Sequence, residues 1–271
     1  AEHDQDKTIY WPYFSFPPYF ILEDGKPASG AGIALQNLLM RKMPEYEHVL
    51  LEAPPERMFQ DISNGRQYAI IGPVKTPERE KNMLFTIACR VAFMDQVVIR
   101  AADLPKFGQN PVVSLRTLLE DESLTFGHQR SVSYGPEVDR ILAEYAGSTN
   151  IHLATGSQAY ERLMLMLADG RLDYILAEPP AVAHVSDKHA LGDSLYILDL
   201  KEQETKALPA YIALPDTPWG LQVREIINGL LREAIDTGEL YKTQLQYIPE
   251  SYRPRYDQLY EKLIARPARE E

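Results

Sequence analysis

Apolar positions along this chain fall into two rhythms. Ile33, Leu35, Leu38, Leu39 and Met43 lie mostly on one helical face and predict a helix over residues 32–43, stopped by Pro44. Short apolar runs bounded by turn residues predict strands at 8–11 (ended by Pro12), 48–51 and 68–71. The polar turn Glu23-Asp24-Gly25-Lys26-Pro27 precedes the first helix, and a short helix over 56–63 ends on Asn64-Gly65. Further on, strands are expected at 124–126, 151–154 and 172–177, with a helix over 136–146. Thr155 and Gln158 have capping-box spacing for a helix running to Ala168. Val223, Ile226, Ile227, Leu230 and Leu231 mark an amphipathic helix over 221–235, with Gly238 beyond its end. The tail over 249–271 alternates charges with tyrosines and reads as a surface helix. Strands alternating with helices argue for an α/β fold.

The pattern also repeats. Asn64-Gly65-Arg66-Gln67-Tyr68-Ala69-Ile70-Ile71 matches Asp169-Gly170-Arg171-Leu172-Asp173-Tyr174-Ile175-Leu176 in type, at an offset of 169 − 64 = 105 residues. In both, a helix ends on a glycine suited to the left-handed C-cap and a strand follows about two residues later. The preceding strand and helix recur in the same order, which predicts two similar lobes. No Gly/Ser linker separates them. The expected division is 1–93 with 207–271 as one discontinuous lobe and 94–206 as the other, with strands at 96–100 and 207–214 near the hinge.

Composition narrows the classes without choosing one. At 271 residues the chain fits one large domain or two small ones. Its 45% hydrophobic and 25% charged residues are those of a globular protein. A net charge of −11 disfavours non-specific nucleic-acid binding. The single Cys89 allows neither an internal disulfide nor a cysteine zinc cluster, and a buried small hydrophobe is its default role. The six histidines show no metal-binding spacing, so no metal and no cofactor is expected. The opening Ala1-Glu2-His3-Asp4 suits either a mature chain after signal-peptide removal or a trimmed one. No apolar run approaches the roughly 20 residues of a membrane helix.

Four places could carry chemistry. In Gly72-Pro73-Val74-Lys75-Thr76-Pro77-Glu78-Arg79, Thr76 as N-cap and Pro77 at the first helical position predict a helix start just beyond a strand. Free N–H groups there, with Arg79 one turn in, suit a carboxylate; an ordinary cap with Arg79 paired to Glu78 or Glu80 is the alternative. The Gly127–Pro136 loop, with Ser131 and Val132, occupies the same kind of place in the second half and is either an anion-binding turn or a solvated one. Glu178 ends a strand ahead of Pro179-Pro180, where it could meet an ammonium, act as an acid or base, or complement a helix terminus. The aromatic run from Tyr10 to Phe20 is either packing or a stacking wall for a ligand.

These features resemble the extracellular solute-binding proteins of family 3, the polar amino-acid-type periplasmic binding proteins, over about residues 8–248. The most specific matches are Thr76-Pro77-Glu78-Arg79 with Phe85-Thr86, and Asp169-Gly170-Arg171-Leu172-Asp173-Tyr174 with Glu178. The resemblance implies a two-lobed α/β type II fold with a ligand cleft between the lobes and two hinge strands. It also implies a periplasmic monomer that hands an amino-acid-like ligand to a membrane permease or a sensor. By position, Arg79 would grip the ligand's carboxylate and Glu178 its ammonium. Backbone at Gly72, Val74, Ser131 and Val132 would assist, and Trp11, Tyr13 and Phe16 would form the side-chain wall. The first loop lacks the acidic residue common in the family, which points to an apolar or aromatic ligand. Two rival readings stay open: a cyclohexadienyl dehydratase-like enzyme with Glu178 as general acid, and a ligand-less interaction domain.

Overall fold

The computed structural model describes residues 7–108 and 110–270, so the opening Ala1–Asp4 lies outside the described residues. The chain divides into two compact units. One holds the residues up to Phe14, Pro18–Ala92 and Leu208 onward; the other holds Ser15–Pro17 and Phe93–Ala207.

The first unit opens with β1 (Thr8–Tyr13), the β2 (Ile21–Glu23) and β3 (Lys26–Ser29) hairpin, and α1 (Ala31–Lys42). Asp24 and Gly25 both take positive φ, the geometry that a two-residue hairpin loop requires. Next come β4 (Glu47–Glu52), α2 (Pro55–Ser63), β5 (Ile70–Ile71), α3 (Pro77–Glu80), β6 (Met83–Phe85) and β7 (Arg90–Phe93). β1 runs through Pro12 rather than ending there, pairing in parallel with β4. Tyr10 exchanges backbone bonds with Gln67 and Ala69, while Tyr13 accepts from Ala53 beside β4. By alternation the Pro12 nitrogen faces away from β4, so its missing N–H costs β1 no β4 ladder bond.

The second unit contains β8 (Gln96–Arg100), β9 (Val112–Val113), α4 (Leu115–Glu120), β10 (Phe126–Gln129), α5 (Pro136–Glu144), β11 (Ile151–Ala154), α6 (Ala159–Ala168), β12 (Tyr174–Ala177), α7 (Pro179–Lys188) and β13 (Leu195–Leu200). Its six-stranded sheet has the order β11-β10-β12-β8-β13-β9. Val97, Ile99, Tyr174 and Leu176 pack into one core, and Val98, Ile175 and Ala177 into another. Alternate residues of β8 and β12 thus bury on opposite faces, which is why both strands read as unbroken apolar runs. β8 is a central sheet strand with antiparallel neighbours on both sides, and it begins a few residues after the chain passes from the first unit to the second at Ala92–Phe93.

The chain returns as β14 (Ala207–Ala210), β15 (Ile212–Pro215), α8 (Pro218–Asp236), α9 (Glu239–Leu245), α10 (Arg253–Tyr260) and α11 (Arg266–Glu270). β15 lies between β5 and β6, and β14 pairs with β7. Thr217 caps α8 by accepting from the Gly220 N–H at 3.1 Å. Thr155 does not cap α6: the helix starts at Ala159, after Gly156 at φ 99°, and its first residue donates to the Gly156 carbonyl. The tail is helical with one face exposed, including Arg255, Asp257, Gln258, Glu261 and Lys262, and the other face enclosed. Tyr256, Tyr260 and Ile264 are buried, because the charges and the tyrosines occupy different faces.

Candidate functional site

In the first unit the candidate residues follow β5. Gly72 has φ 96°, its N–H donates to the Tyr211 carbonyl at 2.8 Å, and its own carbonyl accepts from Arg90 Nη2 at 3.0 Å. A Cβ there would stand 3.2 Å from Arg90 Nε, so both backbone angle and space call for glycine. Two residues on, the Val74 carbonyl accepts from Arg79 Nη1 at 3.0 Å. Thr76 is the N-cap of α3, accepting from the Arg79 N–H at 3.2 Å, with Pro77 following at the first helical position. The Arg79 guanidinium lies 4.1 Å from the centre of the Phe59 ring, and Glu78 turns instead to Lys81 at 2.9 Å. Arg79 is thus half-buried, tied at its backbone and at one end of its fork. An aromatic face below the cation restricts it further.

Arg90 is the residue the sequence pattern missed here. It is buried within the β7 run Arg-Val-Ala-Phe, with its guanidinium 4.1 Å from the Tyr19 ring centre. An arginine inside an otherwise apolar strand was the available signal, since charged residues are rarely fully enclosed without partners.

In the second unit, Glu178 follows β12 directly and is the N-cap residue of α7, with its side chain making no capping bond. It is 4% exposed, and its N–H donates to the Tyr160 hydroxyl at 3.0 Å. Phe16 meets the Tyr160 ring edge-on at 4.7 Å and 74°. That contact is anchored by Ser15, whose N–H donates to the Ser157 carbonyl at 2.6 Å. Burial, with Asp95 and then Glu178 adding negative charge nearby, pushes the Tyr160 phenol well up. Phe16, Tyr160 and Glu178 therefore form one connected group with Asp95 nearby, and neither Tyr160 nor Asp95 carried a recognisable signal.

The turn after β10 holds Ser131 exposed at φ 62° and Val132 half-buried against the core around Phe126 and Tyr134. Asp139 of α5 reaches back to accept from the Tyr134 N–H at 2.8 Å, fixing the turn. Gln129, at the carboxyl end of β10, is 1% exposed, and neither amide atom has a hydrogen-bond partner among the described residues.

The aromatic run divides. Trp11 is enclosed in β1 at 1% exposure, and its Nε1–H donates to His48 Nδ1 at 3.0 Å. His48 Nε2 in turn lies 2.9 Å from the Met43 carbonyl, which sets the tautomer with the proton on Nε2. Tyr13 is also enclosed, its hydroxyl 3.4 Å from the Gly25 carbonyl, and burial followed by the Glu52 charge pushes its phenol up. No group of three His, Cys, Asp or Glu side chains among the described residues is arranged to hold a metal. No helix among them is long and apolar enough to cross a membrane.

A scan against protein-family models and a search of curated proteins find no match for this chain. Solved structures do match. A histidine kinase sensor domain with similarity to periplasmic binding proteins superposes with a TM-score of 0.69 at 18% identity, covering 90% of this chain and 97% of its own. The amino acid ABC transporter substrate-binding protein AbpA of Streptococcus pneumoniae, bound to L-arginine, gives 0.67 at 18% identity over 89% and 94%. The arginine-, lysine- and histidine-binding protein ArtJ of Geobacillus stearothermophilus gives 0.67 at 16% identity over 91% and 98%. The chain has the two-lobed periplasmic-binding-protein fold of these neighbours, which are described as binding proteins and a sensor domain.

Proposed function

We propose that this chain is a solute-binding protein for a small amino-acid-like ligand, working outside the cytoplasm as a monomer that serves a permease or a sensor. Arg79 takes the ligand's carboxylate through its guanidinium fork, and Glu178 takes its ammonium. Ser131, Val132 and Val74 contribute backbone contacts. Gly72 contributes shape, since its N–H is already given to Tyr211 and its carbonyl to Arg90. Tyr13 and Phe16 supply aromatic surroundings for the ligand's side chain.

One observation carries this reading. An arginine held by Thr76, Val74 and Phe59 and a carboxylate that is 4% exposed stand at the positions the family resemblance assigns to carboxylate and ammonium recognition. A largely dehydrated carboxylate attracts an ammonium far more strongly than one in water. Holding Arg79 in place before binding reduces the entropy lost on complex formation.

Titration calorimetry against a panel of amino acids tests the reading. A micromolar ligand with an apolar or aromatic side chain is expected. Arg79→Ala and Glu178→Gln should each weaken it by about 2–4 kcal/mol, the cost of removing one partner of a buried charge pair. Undiminished affinity in a folded Arg79→Ala variant would sink the proposal.

A further inference from the structure

A second concave site lies wholly within the first unit, on residues that the ligand reading does not use. It is a groove of about 440 Å³ between the Phe85–Ala88 segment, α8 and the C-terminal tail. Its rim carries Lys75, Arg224, Arg232 and Lys262 against one carboxylate, Glu225. Glu225 is taken by Arg224, which meets it through Nη2 at 3.0 Å and Nε at 3.2 Å. Among the described residues, Lys75, Arg232 and Lys262 have no carboxylate partner, although carboxylates outnumber cations 39 to 28 along the chain.

Other features shape the groove as a receptor. Lys75 Nζ stands 4.3 Å from the centre of the Tyr211 ring, which holds the ammonium at the rim. Asn228 is buried in the wall and accepts from the Ile87 N–H through Oδ1 at 2.8 Å, leaving its NH2 group as a donor. The opposite wall comes from a wide helical turn, Glu261–Ala265, that joins α10 to α11. Pro267 cannot donate to the carbonyl four residues back, and its ring crowds that carbonyl. The Arg266 N–H donates to Glu261, five residues back, and the widened turn sets Lys262 on the groove. Single π-type turns of this kind recur at functional sites.

We propose that this groove binds a small multivalent oxyanion of the phosphate class, with Arg232, Lys262 and Lys75 as its charged contacts and Asn228 as a neutral donor. Guanidinium and ammonium groups from α8, the Glu261–Ala265 turn and the loop after β5 line this one groove, and such groups suit an anion with several oxygens. The groove is lined by residues distinct from Arg79 and Glu178, so the anion would not compete for the groups assigned to the amino-acid-like ligand.

The probes are inorganic phosphate and pyrophosphate, titrated calorimetrically against chloride at matched ionic strength. Wild type should bind pyrophosphate saturably at one site and more tightly than phosphate. Arg232→Gln combined with Lys262→Gln should weaken binding at least tenfold with the circular dichroism spectrum unchanged. Arg79→Ala should bind pyrophosphate as wild type does. The proposal is overturned by non-saturable binding, by an undiminished double variant, or by loss of binding in Arg79→Ala, which would place the anion at the amino-acid site instead.

Discussion

The Glu178 N–H donates to the Tyr160 hydroxyl at 3.0 Å, so a tyrosine on α6 holds the backbone at the point where β12 turns into α7. The hydroxyl is buried, and Phe16 packs against the same ring. Tyr160→Phe keeps the ring contact and removes only the acceptor. A buried N–H left without its partner costs about 1–3 kcal/mol. Urea denaturation should therefore show Tyr160→Phe destabilised by that amount, with an unchanged m-value. A midpoint equal to wild type would mean that water replaces the hydroxyl.

His128 predicts an acid weakness. Its ring stacks on Phe126 at 5.9 Å and 13°, and its Nδ1 lies 3.4 Å from the Tyr134 hydroxyl. Burial lowers its pKa from 6.5 to about 4, so the folded protein keeps it neutral. An unfolded chain protonates it near 6.5, so the stabilisation is complete above that value and is lost as pH falls from 6.5 towards 4. The full span is on the order of 3 kcal/mol. The difference in urea midpoint between wild type and His128→Gln, followed from pH 7 to pH 4.5, should shift in favour of the variant as the medium acidifies. A difference independent of pH would contradict the assignment.

The reach of sequence reasoning followed the range of the forces involved. Helix–glycine–strand units at Gly65 and Gly170 were legible because a left-handed glycine after a helix is a local requirement, met here at φ 87° and 79°. Thr76 and Pro77 were legible for the same reason. Long-range pairing was not. Nothing local to Gln96 indicates that β8 becomes a central strand, or that β4 will accept a partner containing Pro12. Nor does the order of residues show that Trp11 and Phe16, five positions apart, pack into different units. Arg90 and Tyr160 escaped notice because their partners are distant in sequence.

Thr76 tests how far the cap governs Arg79. Its Oγ1 accepts from the Arg79 N–H at 3.2 Å, and the same arginine reaches the Val74 carbonyl at 3.0 Å. Thr76→Ala should cost about 1 kcal/mol of stability, as other lost N-caps do, and Thr76→Ser should be close to neutral. Ligand affinity, measured by calorimetry, should fall in Thr76→Ala by less than in Arg79→Ala, because the guanidinium remains but is less fixed. An affinity loss equal to that of Arg79→Ala would assign Thr76 a direct contact with the ligand.

The C-terminal tail is joined to the first unit by a buried relay. The Tyr256 hydroxyl donates to Gln244 Oε1 at 3.0 Å, and Gln244 Nε2 donates to the Cys89 carbonyl at 2.6 Å. All three residues are buried, and enclosure pushes the Cys89 thiol up to about 12. Tyr256→Phe would strand the Gln244 carbonyl, a loss of about 1–3 kcal/mol. It should also loosen the packing over Cys89. Ellman's reagent should leave the wild-type thiol untouched at pH 8 under native conditions and label one equivalent in denaturant, since only the thiolate reacts. Tyr256→Phe should raise the native labelling rate while the denatured rate stays the same. If the two proteins label equally slowly, the tail stabilises this unit through its apolar contacts and the relay adds nothing to the protection.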